Sequence, residues 1–266
     1  MSKIIFITGV SSGFGKQTAE FLASKGYKVY GTVRKETSID SSVNLVSMDV
    51  TNAESIQNAV NQVINKEGRI DILINNAGMG ISGSIEDTTV EEAKLQMDTN
   101  FYGVFMVIKA VLPVMRKQFS GTIINISSIG GLMGLPFQAL YSSSKFAVEG
   151  LSEGLRMELK PYNIKVVLVN PGDFYTNFTA NRRFVSGNSG VYSHQYKKTM
   201  EVIEKDEKAG LLPIVLAKKI YTILEMKNPS ASYIVATLEQ KLAIVLKYML
   251  PGLWFSKILQ DHYKIK

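Results

Sequence analysis

Short apolar segments of strand length recur along the chain and alternate with longer segments of helical character. These segments are residues 4–8, 28–33, 45–48, 70–74, 121–126, 164–169 and 233–235. Several are continuous β-branched runs, which are typical of strands buried on both faces. Strands that alternate with helices predict parallel β-α-β units. The pattern therefore predicts a doubly wound α/β domain, with a parallel sheet of about seven strands and helices on both faces.

The length and apolar content bound the organisation of the chain. Its 266 residues, 45% of them hydrophobic, suffice for one large core. We therefore expect a single domain that spans residues 1–266. Residues 173–193 form the one long irregular segment, rich in Asn, Ser, Gly and aromatics, and loops of this length tend to be lids. We expect a substrate loop or lid at about residues 174–210 and an apolar, basic C-terminal extension at about residues 238–266.

The composition excludes several kinds of site. The chain has no cysteine, which excludes disulfides and thiolate metal sites, and with only His194 and His262 we expect no metal centre. The first strand begins at Ile4, which leaves no room for a secretory signal ahead of it. The longest apolar stretch, residues 242–250, is far shorter than the roughly 20 residues of a membrane span. We expect a cytoplasmic protein without a transmembrane segment.

The net charge of +7 is unevenly placed, because residues 174–266 carry 14 Lys and Arg against 7 Asp and Glu. A basic excess can attract nucleic acid, an anionic membrane or an anionic substrate. No basic stripe with interleaved aromatic residues is present, so we predict no nucleic-acid partner. A merely solvated surface is the alternative.

Polar residues and glycines follow four of the predicted strands, at the sheet edge where doubly wound folds bind ligands. The clusters are Thr8-Gly9, Asn75-Asn76-Ala77-Gly78, Ser127-Ser128 and Asn170-Pro171-Gly172. After the first strand, the spacing Gly9-x-x-x-Gly13-x-Gly15 predicts a tight turn into a helix. Such a turn lets the backbone and the helix N-terminus approach a pyrophosphate. The alternative is a turn that merely packs a helix onto a strand.

Tyr141 and Lys145 lie one helical turn apart and therefore share a helix face. A tyrosine near pKa 10 needs a shift of about three units, or roughly 4 kcal/mol, to ionise near neutral pH. An ammonium about 4 Å away can supply roughly that amount. The spacing thus indicates a proton-transferring tyrosine whose pKa the lysine lowers; a surface helix pair is the alternative.

Taken together, these motifs resemble the short-chain dehydrogenase/reductase family over residues 4 to about 172. The resemblance implies a Rossmann-type sheet. The segment from Ser128 to Phe137, followed by Tyr141 and Lys145, looks like the branch of hydroxysteroid dehydrogenases that includes the 17β enzymes. It also resembles lipid-ketone reductases of the acyl-dihydroxyacetone-phosphate type.

The resemblance implies four catalytic residues. Tyr141 would be the general acid/base, and Lys145 would be its pKa partner and a ribose ligand. Ser128 would hydrogen-bond the substrate oxygen, as an oxyanion-type donor. Asn100 would anchor a water that relays protons to Lys145, although an amide that ties a helix kink together is the alternative.

The same resemblance implies the dinucleotide site. Asp49 would contact the adenine amino group, or else cap the helix after Thr51. Thr176 would reach the nicotinamide amide or the pyrophosphate. The remaining members are Gly9, Ser11, Ser12, Gly13, Phe14, Gly15, Val50, Asn76, Ala77, Gly78, Pro171 and Gly172, together with Tyr141 and Lys145.

The end of the second strand predicts the choice of cofactor. An NAD-preferring site places an acid there, whereas an arginine accommodates the 2′-phosphate of NADP. Here Val33 occupies the acidic position and Arg34 follows it. With Ser12 as a further donor, NADP(H) is the expected cofactor; a solvated Arg34 is the alternative.

The expected function is NADP(H)-dependent interconversion of a ketone and a secondary alcohol on a lipophilic, hydroxysteroid-like substrate. Alternatives are a reductase of an acyl-chain lipid ketone and a dinucleotide-binding regulator without catalysis. Arg182 or Arg183 would steer an anionic group of the substrate. The C-terminal third suggests peripheral membrane contact, and the family implies a homodimer or homotetramer through helices at about 101–117 and 141–160. Aromatic residues after position 174 favour a lipophilic pocket or lid, or else a small satellite core: Phe174, Tyr175, Phe178, Phe184, Tyr192 and Tyr196.

Overall fold

β-Branched runs form the strands of the central sheet because both faces of each strand are buried. The computed structural model describes residues 2–35, 37–176, 182–187 and 189–265. Its strands are β1 Ile4–Ile7, β2 Lys28–Val33, β3 Val43–Ser47, β4 Ile72–Asn75, β5 Ile81–Ser82, β6 Gly121–Ile126, β7 Ile164–Pro171, β8 Arg183–Phe184 and β9 Ser232–Val235. The helices are α1 Gly13–Ser24, α2 Ala53–Glu67, α3 Val90–Met97, α4 Gly103–Gln118, α5 Ala139–Leu159, α6 Ser193–Ala209, α7 Pro213–Glu225, α8 Leu238–Met249 and α9 Gly252–His262.

Seven strands form one parallel sheet in the order β3-β2-β1-β4-β6-β7-β9. The seven predicted strands and the doubly wound fold class are confirmed. The strand order reverses between β1 and β4, which pair through Phe6 and Leu73. A doubly wound sheet binds its ligand at such a reversal, beyond the carboxyl ends of the strands.

Two apolar layers hold helices on both faces of the sheet. Successive side chains of a strand point to opposite faces, so Phe6 joins one layer and Ile5 joins the other. The first layer contains residues of α2, α4 and α5, and the second contains residues of α1 and α7. Burial of these apolar side chains supplies most of the favourable free energy of folding.

The predicted lid is a segment whose two ends are held together. Phe174 and Leu211 form a parallel bridge, in which the Leu211 N–H donates to Asp173 O at 3.0 Å and the Tyr175 N–H donates to Leu211 O at 3.0 Å. Between these ends, β8 pairs with β5 and α6 follows. The segment is therefore less irregular than expected. Phe178, predicted to line the lid, lies outside the described residues.

The C-terminal extension forms α8 and α9. Ile244 of α8 and Phe255 of α9 pack in a third apolar cluster with Ile129 and Met133, which follow β6. Within the described part of the chain, no helix is long and apolar enough to cross a bilayer. The described residues also contain no group of three or more His, Asp or Glu side chains that could hold a metal ion.

Candidate active site

The glycine turn after β1 is packed so closely that side chains cannot enter it. Gly9 and Gly13 have φ of +73° and +55°, which favour glycine. A Cβ on Gly15 would lie 2.0 Å from Gly9 O, and one on Gly9 would lie 2.9 Å from Ala77 Cα. The turn leads into α1, whose N-terminal N–H groups favour an anion. This cradle of bare backbone at a helix N-terminus fits the pyrophosphate of a dinucleotide.

Thr8 and Asn76 fasten the glycine turn to the end of β4. The Thr8 hydroxyl accepts hydrogen bonds from the N–H groups of Asn76 and Ala77 at 3.0 and 2.9 Å. The Asn76 amide donates to Thr8 O and Gly9 O, both at 2.9 Å. Asn76 therefore shapes the turn through its side chain, a role that the residue pattern did not predict.

Two other members of the predicted dinucleotide site lie beside the turn. Gly13 is next to Thr176, since a Cβ on Gly13 would lie 3.9 Å from Thr176 Cβ. The Phe14 ring packs edge-on against Phe174 with centroids 4.8 Å apart, so its side chain supports the lid base. Ser12 precedes α1 as its N-cap, and Ser11 is exposed on the same turn.

The ends of β2 and β3 provide the predicted adenine side of the site. Val33 is buried and Arg34 is exposed at the end of β2. Asp49 accepts from the Thr51 N–H and hydroxyl at 2.9 and 2.8 Å. Burial pushes the Asp49 pKa up, but the Thr51 hydrogen bonds and the Arg34 charge outweigh it and hold that pKa below its ordinary value.

The alternative role for Asp49, a cap of the following helix, is wrong. Asn52 caps α2, accepting from the Ser55 N–H at 2.9 Å. Val50 is buried against Gly103, where a Cβ would lie 3.1 Å from Val50 Cβ. Asp49 therefore stays available at the sheet edge for the adenine contact that we predict.

Tyr141, Lys145 and Ser128 converge at the carboxyl end of β6. Lys145 is buried, its Nζ donates to Ile126 O at 2.9 Å, and Nζ lies 5.9 Å from the centroid of the Tyr141 ring. Ser128 Oγ accepts from the Gly130 N–H at 3.0 Å and is hydrogen-bonded to Tyr141. A Cβ on Gly130 would lie 3.3 Å from Tyr141 Cε1 and 3.4 Å from Ser128 Oγ, so glycine keeps this contact open.

The expectation that Lys145 lowers the pKa of Tyr141 is wrong in this structure. Burial raises the pKa of Tyr141 and outweighs the hydrogen bond with Ser128, which lowers that pKa. Burial also lowers the pKa of Lys145 to about 8, against the Glu149 charge. Because burial disfavours both charged forms, the site holds a protonated phenol, which can give a proton to a developing alkoxide.

Asn100 lies in a single π-helical turn, Asp98–Tyr102, between α3 and α4. Its amide accepts from the Met79 N–H and donates to Met79 O, both at 2.9 Å. It also donates to Ser144 Oγ of α5 at 3.1 Å. The amide thus ties the helix irregularity to the segment between β4 and β5 and to α5, and the relay of protons through water stays a prediction.

Gly78 lies beside Asn100 and Lys145, whereas Pro171 and Gly172 lie at the end of β7. A Cβ on Gly78 would lie 3.4 Å from Asn100 Oδ1 and 3.9 Å from Lys145 Nζ. Pro171 ends β7, and the Gly172 N–H donates to Val235 O at 3.0 Å. A Cβ on Gly172 would lie 2.1 Å from Gln240 Oε1. The structure therefore brings the predicted site residues to one edge of the sheet.

Two acidic residues near the catalytic group were missed by the sequence analysis. Glu149 lies one turn beyond Lys145 and accepts from the Asn170 amide at 2.6 Å; burial raises its pKa. The spacing Tyr141-x-x-x-Lys145-x-x-x-Glu149 could have indicated it. Asp173 follows β7, where its position just beyond Pro171-Gly172 was the only available signal.

Arg182 does not lie where a substrate anion could be steered to it. Its side chain is 1% exposed and forms an ion pair with Glu207 of α6. A buried guanidinium committed to a carboxylate cannot be released cheaply, so the expectation that Arg182 binds an anionic group is wrong. Arg183 is exposed in β8, and its role as an anion ligand stays a prediction.

Asp173 is a carboxyl group with a strongly perturbed pKa at this edge. Gln240 Nε2 donates to Asp173 Oδ2 at 2.5 Å. Burial raises the Asp173 pKa to about 7, and the negative charges of Glu207 and Asp206 act in the same direction. The charges of His262 and Arg182 oppose this shift. In turn, the negative charges of Glu207 and Asp173 help to raise the pKa of Tyr141.

We expect Asp173→Asn to stabilise the protein at pH 8. Because the folded-state pKa lies above the ordinary 3.8, the folded protein holds this proton more tightly than the unfolded chain. The stability from Asp173 is fully present below about pH 4 and is lost as the pH rises to about 7. The neutral amide of asparagine avoids this loss, which amounts to up to about 4 kcal/mol in free energy of unfolding.

Urea unfolding at pH 8 and at pH 4.5 checks this expectation. The variant should gain on the order of 2–4 kcal/mol in free energy of unfolding at pH 8, and much less at pH 4.5. Glu158→Gln, on the exposed surface of α5, is the control. An equal gain at both pH values, or none, would show that the charge of Asp173 costs the fold nothing.

Comparison with known proteins adds independent findings. The sequence model of the short chain dehydrogenase family matches residues 3–184. A 3-ketodihydrosphingosine reductase from Bacteroides thetaiotaomicron is 48% identical over 266 residues, which cover 99% of both chains. Among solved structures, a short-chain dehydrogenase from Streptomyces avermitilis has a TM-score of 0.82 at 29% identity, covering 99% of this chain and 96% of that one.

A second similar structure bears on the cofactor. The protein ElxO, with NADP bound, has a TM-score of 0.73 at 29% identity, covering 88% of this chain and 96% of its own. Solved structures of this fold include a complex with NADP and a complex with NAD.

Proposed function

This chain belongs to the short-chain dehydrogenase/reductase family, and we propose that it reduces the ketone of a long-chain aminoketone lipid to a secondary alcohol, with NADPH as reductant. It is thus an oxidoreductase acting on a ketone or alcohol. The finer assignment, to a substrate like 3-ketodihydrosphingosine, departs from the hydroxysteroid-like reading. It favours the alternative of a lipid-ketone reductase.

One observation carries the choice of substrate. The family model ends at residue 184, whereas the similarity to the 3-ketodihydrosphingosine reductase covers 99% of both chains. It therefore includes the lid helix α6 and the C-terminal helices. Helices α8 and α9 pack on Ile129 and Met133, which follow β6 at the ligand edge of the sheet, so similarity there supports a similar substrate more strongly than the motifs do.

The residues of the site support a route for the proton to the substrate oxygen. Bound NADPH would supply hydride to the carbonyl carbon. Tyr141, kept protonated by burial, would give its proton to the carbonyl oxygen. Ser128 would donate a hydrogen bond to the same oxygen as negative charge develops there. Lys145 would then favour restoration of the phenol, since its pKa of about 8 allows it to exchange a proton near neutral pH.

The preference for NADPH is supported by the end of β2. Arg34 is exposed there and Val33 replaces the acid of an NAD site. The guanidinium is suited to bidentate binding of the 2′-phosphate. The pKa of the nearby Asp49 is held below its ordinary value, so its carboxylate can accept a hydrogen bond from the adenine amino group.

The carboxylate of Asp173 supports a substrate that carries an amine. Dihydrosphingosine is a long-chain amino alcohol, so its keto form has an ammonium group on the carbon next to the ketone. Glu207 is committed to Arg182, whereas Asp173 accepts from the neutral amide of Gln240. Since the charge of Asp173 influences Tyr141, it can also attract an ammonium group beside the reacting carbonyl. A cavity of about 330 Å³ between Phe137 and Tyr192 offers room for part of the chain.

A substrate panel with NADPH tests this proposal. The free-amine ketone 3-ketodihydrosphingosine should have the highest kcat/KM, ahead of its N-acetyl derivative, a steroid ketone and an acyl-dihydroxyacetone phosphate. Asp173→Asn should raise KM for the free amine about tenfold or more, because a charge-assisted hydrogen bond contributes about 1.5–3 kcal/mol. The same substitution should leave KM for the N-acetyl derivative unchanged.

Other outcomes select the alternatives. A preference for the steroid would favour the hydroxysteroid reading, and a preference for the phosphate ester would restore an anionic substrate steered by Arg183. Binding of NADPH without oxidation by any ketone would indicate a regulator. A cytoplasmic location and a homodimer or homotetramer through α4 and α5 are parts of the proposal that the panel does not address.

A further inference from the structure

Helix α8 carries an exposed stripe of large apolar side chains. Leu238, Leu242, Val245 and Met249 recur at helical spacing and therefore share one face. They are 83%, 58%, 51% and 74% exposed. The helix buries its other side through Ile244, so the stripe is additional to the face that holds α8 on the protein.

The exposed apolar surface continues into α9. Leu253 and Trp254 lie in the first turn of α9 and are 85% and 67% exposed. Phe255, the next residue, is buried and anchors the helix. We call the six residues Leu238, Leu242, Val245, Met249, Leu253 and Trp254 the C-terminal apolar face. The two helices are in contact, and a group of large exposed apolar side chains on neighbouring helices marks an interaction site.

Basic and aromatic residues fringe this face. Lys241 lies beside the stripe of α8, and Lys257 follows Leu253 by one turn on α9; both are exposed. Residues 238–266 contain five lysines against Glu239 and Asp261 as the acidic residues. Tyr248 is 72% exposed, and Trp254 and Tyr248 have the amphipathic rings that favour the boundary between lipid headgroups and acyl chains.

The C-terminal apolar face adjoins the catalytic edge of the sheet. On their inner sides, Ile244 and Phe255 pack in one cluster with Met133 and with Ile129, the residue that immediately follows Ser128. A surface held by this face would therefore lie close to the mouth of the site.

We propose that the C-terminal apolar face docks on the surface of an anionic phospholipid membrane. The apolar stripe would enter the headgroup region, and Lys241 and Lys257 would contact anionic headgroups. This docking goes beyond the proposed reaction and does not depend on it. It would bring the site to the surface where a long-chain lipid resides.

Charge complementarity favours a membrane over a second copy of the chain. In a symmetric dimer each surface patch meets the same patch on its partner. Pairing of two C-terminal apolar faces would bring the lysines of both copies together, and like charges at an interface are costly. An anionic bilayer satisfies both the apolar stripe and its basic fringe.

Trp254 provides a direct reporter, because it is the only tryptophan of the chain. Vesicles of phosphatidylcholine and phosphatidylglycerol in equal parts should shift its fluorescence to shorter wavelength and should co-sediment the protein. Vesicles of phosphatidylcholine alone should do so more weakly, and added salt should reduce binding to the anionic vesicles. Absence of binding to anionic vesicles would overturn the proposal.

Matched substitutions test whether this face is the contact. Leu253→Gln should lower the partition coefficient about tenfold, because a buried apolar side chain is lost without a change of charge. Lys257→Gln should lower it about fivefold on anionic vesicles only. Phe119→Gln is the control, since Phe119 is 63% exposed near the start of β6, at the opposite edge of the sheet from Ser128.

The remaining results distinguish a membrane from a second copy of the chain as the partner of the C-terminal apolar face. Binding that Leu253→Gln leaves unchanged would overturn the proposal. The proposal would also be overturned if the wild type bound no vesicles and Leu253→Gln had a lower sedimentation coefficient than the wild type. The face would then be an interface between copies of the chain. NADPH turnover is not needed for any of these measurements, so failure of docking and failure of the proposed reaction are distinguishable.

Discussion

Replacing Tyr141 by phenylalanine is expected to lower kcat for ketone reduction by about 10²- to 10⁴-fold, the usual contribution of a positioned general acid. The ring remains, so packing against Gly130 is kept, and only the transferable proton is lost. Because burial already keeps the phenol protonated, the loss should appear across the neutral pH range. Steady-state kinetics with NADPH measure the effect.

The binding of NADPH by the same variant separates chemistry from folding. The dissociation constant from fluorescence titration should stay near that of the wild type, since the glycine turn and Arg34 are untouched. Ser128→Ala should show a similar pattern with a smaller loss, as one hydrogen bond to the oxygen disappears. Near-normal turnover by Tyr141→Phe would remove this residue from the proton transfer.

Exchange of the cofactor preference is the second large expected effect. In the double variant Val33→Asp, Arg34→Gln, the ratio of kcat/KM for NADPH to that for NADH should fall by about 10²-fold or more. A guanidinium-phosphate contact contributes about 1.5–3 kcal/mol, and the new carboxylate repels the 2′-phosphate while accepting from a free 2′-hydroxyl.

Arg34→Gln alone serves as the milder arm of this experiment. Val33 is 8% exposed and packs in the layer on the α1 side of the sheet, so an aspartate there can cost stability, whereas Arg34 is exposed. The single variant should lose about tenfold in kcat/KM for NADPH and keep its activity with NADH. A wild type that uses NADH better than NADPH would contradict the interpretation of this strand end.

The strands and the placement of the site were predictable because they depend on local pattern. A β-branched run has one stable environment in a doubly wound sheet, and parallel connections bring the carboxyl ends of all strands to one edge. The residues after β1, β4, β6 and β7 therefore had to meet. Even the weak strand β9, which pairs with β7, follows from this pattern.

The electrostatics of the site could not be predicted in the same way. The partner of Arg182 is Glu207, 25 residues further along the chain, and nothing local selects it. The pKa of Tyr141 is raised mainly by burial, which depends on elements from distant parts of the sequence. The spacing of Tyr141 and Lys145 indicated a contact correctly but not the sign of the shift.

The structure of the lid could not be predicted from local sequence either. Its base is a bridge between Phe174 and Leu211, and the pairing of β8 with β5 joins Arg183 to Ile81. These elements are too short to leave a periodic pattern. Composition indicated a long loop, whereas its ends are held by pairings with residues that are distant in sequence.

Transfer of deuterium from the cofactor to the substrate is the most direct measurement of the proposed reduction. The wild type would be incubated with 3-ketodihydrosphingosine and NADPH deuterated at both positions of the nicotinamide C4, and the products would be examined by mass spectrometry. The account predicts an amino alcohol with one deuterium on the carbinol carbon, formed by the wild type and strongly reduced in Tyr141→Phe. If the wild type binds NADPH and this ketone but forms no deuterated alcohol, the proposed reduction is contradicted.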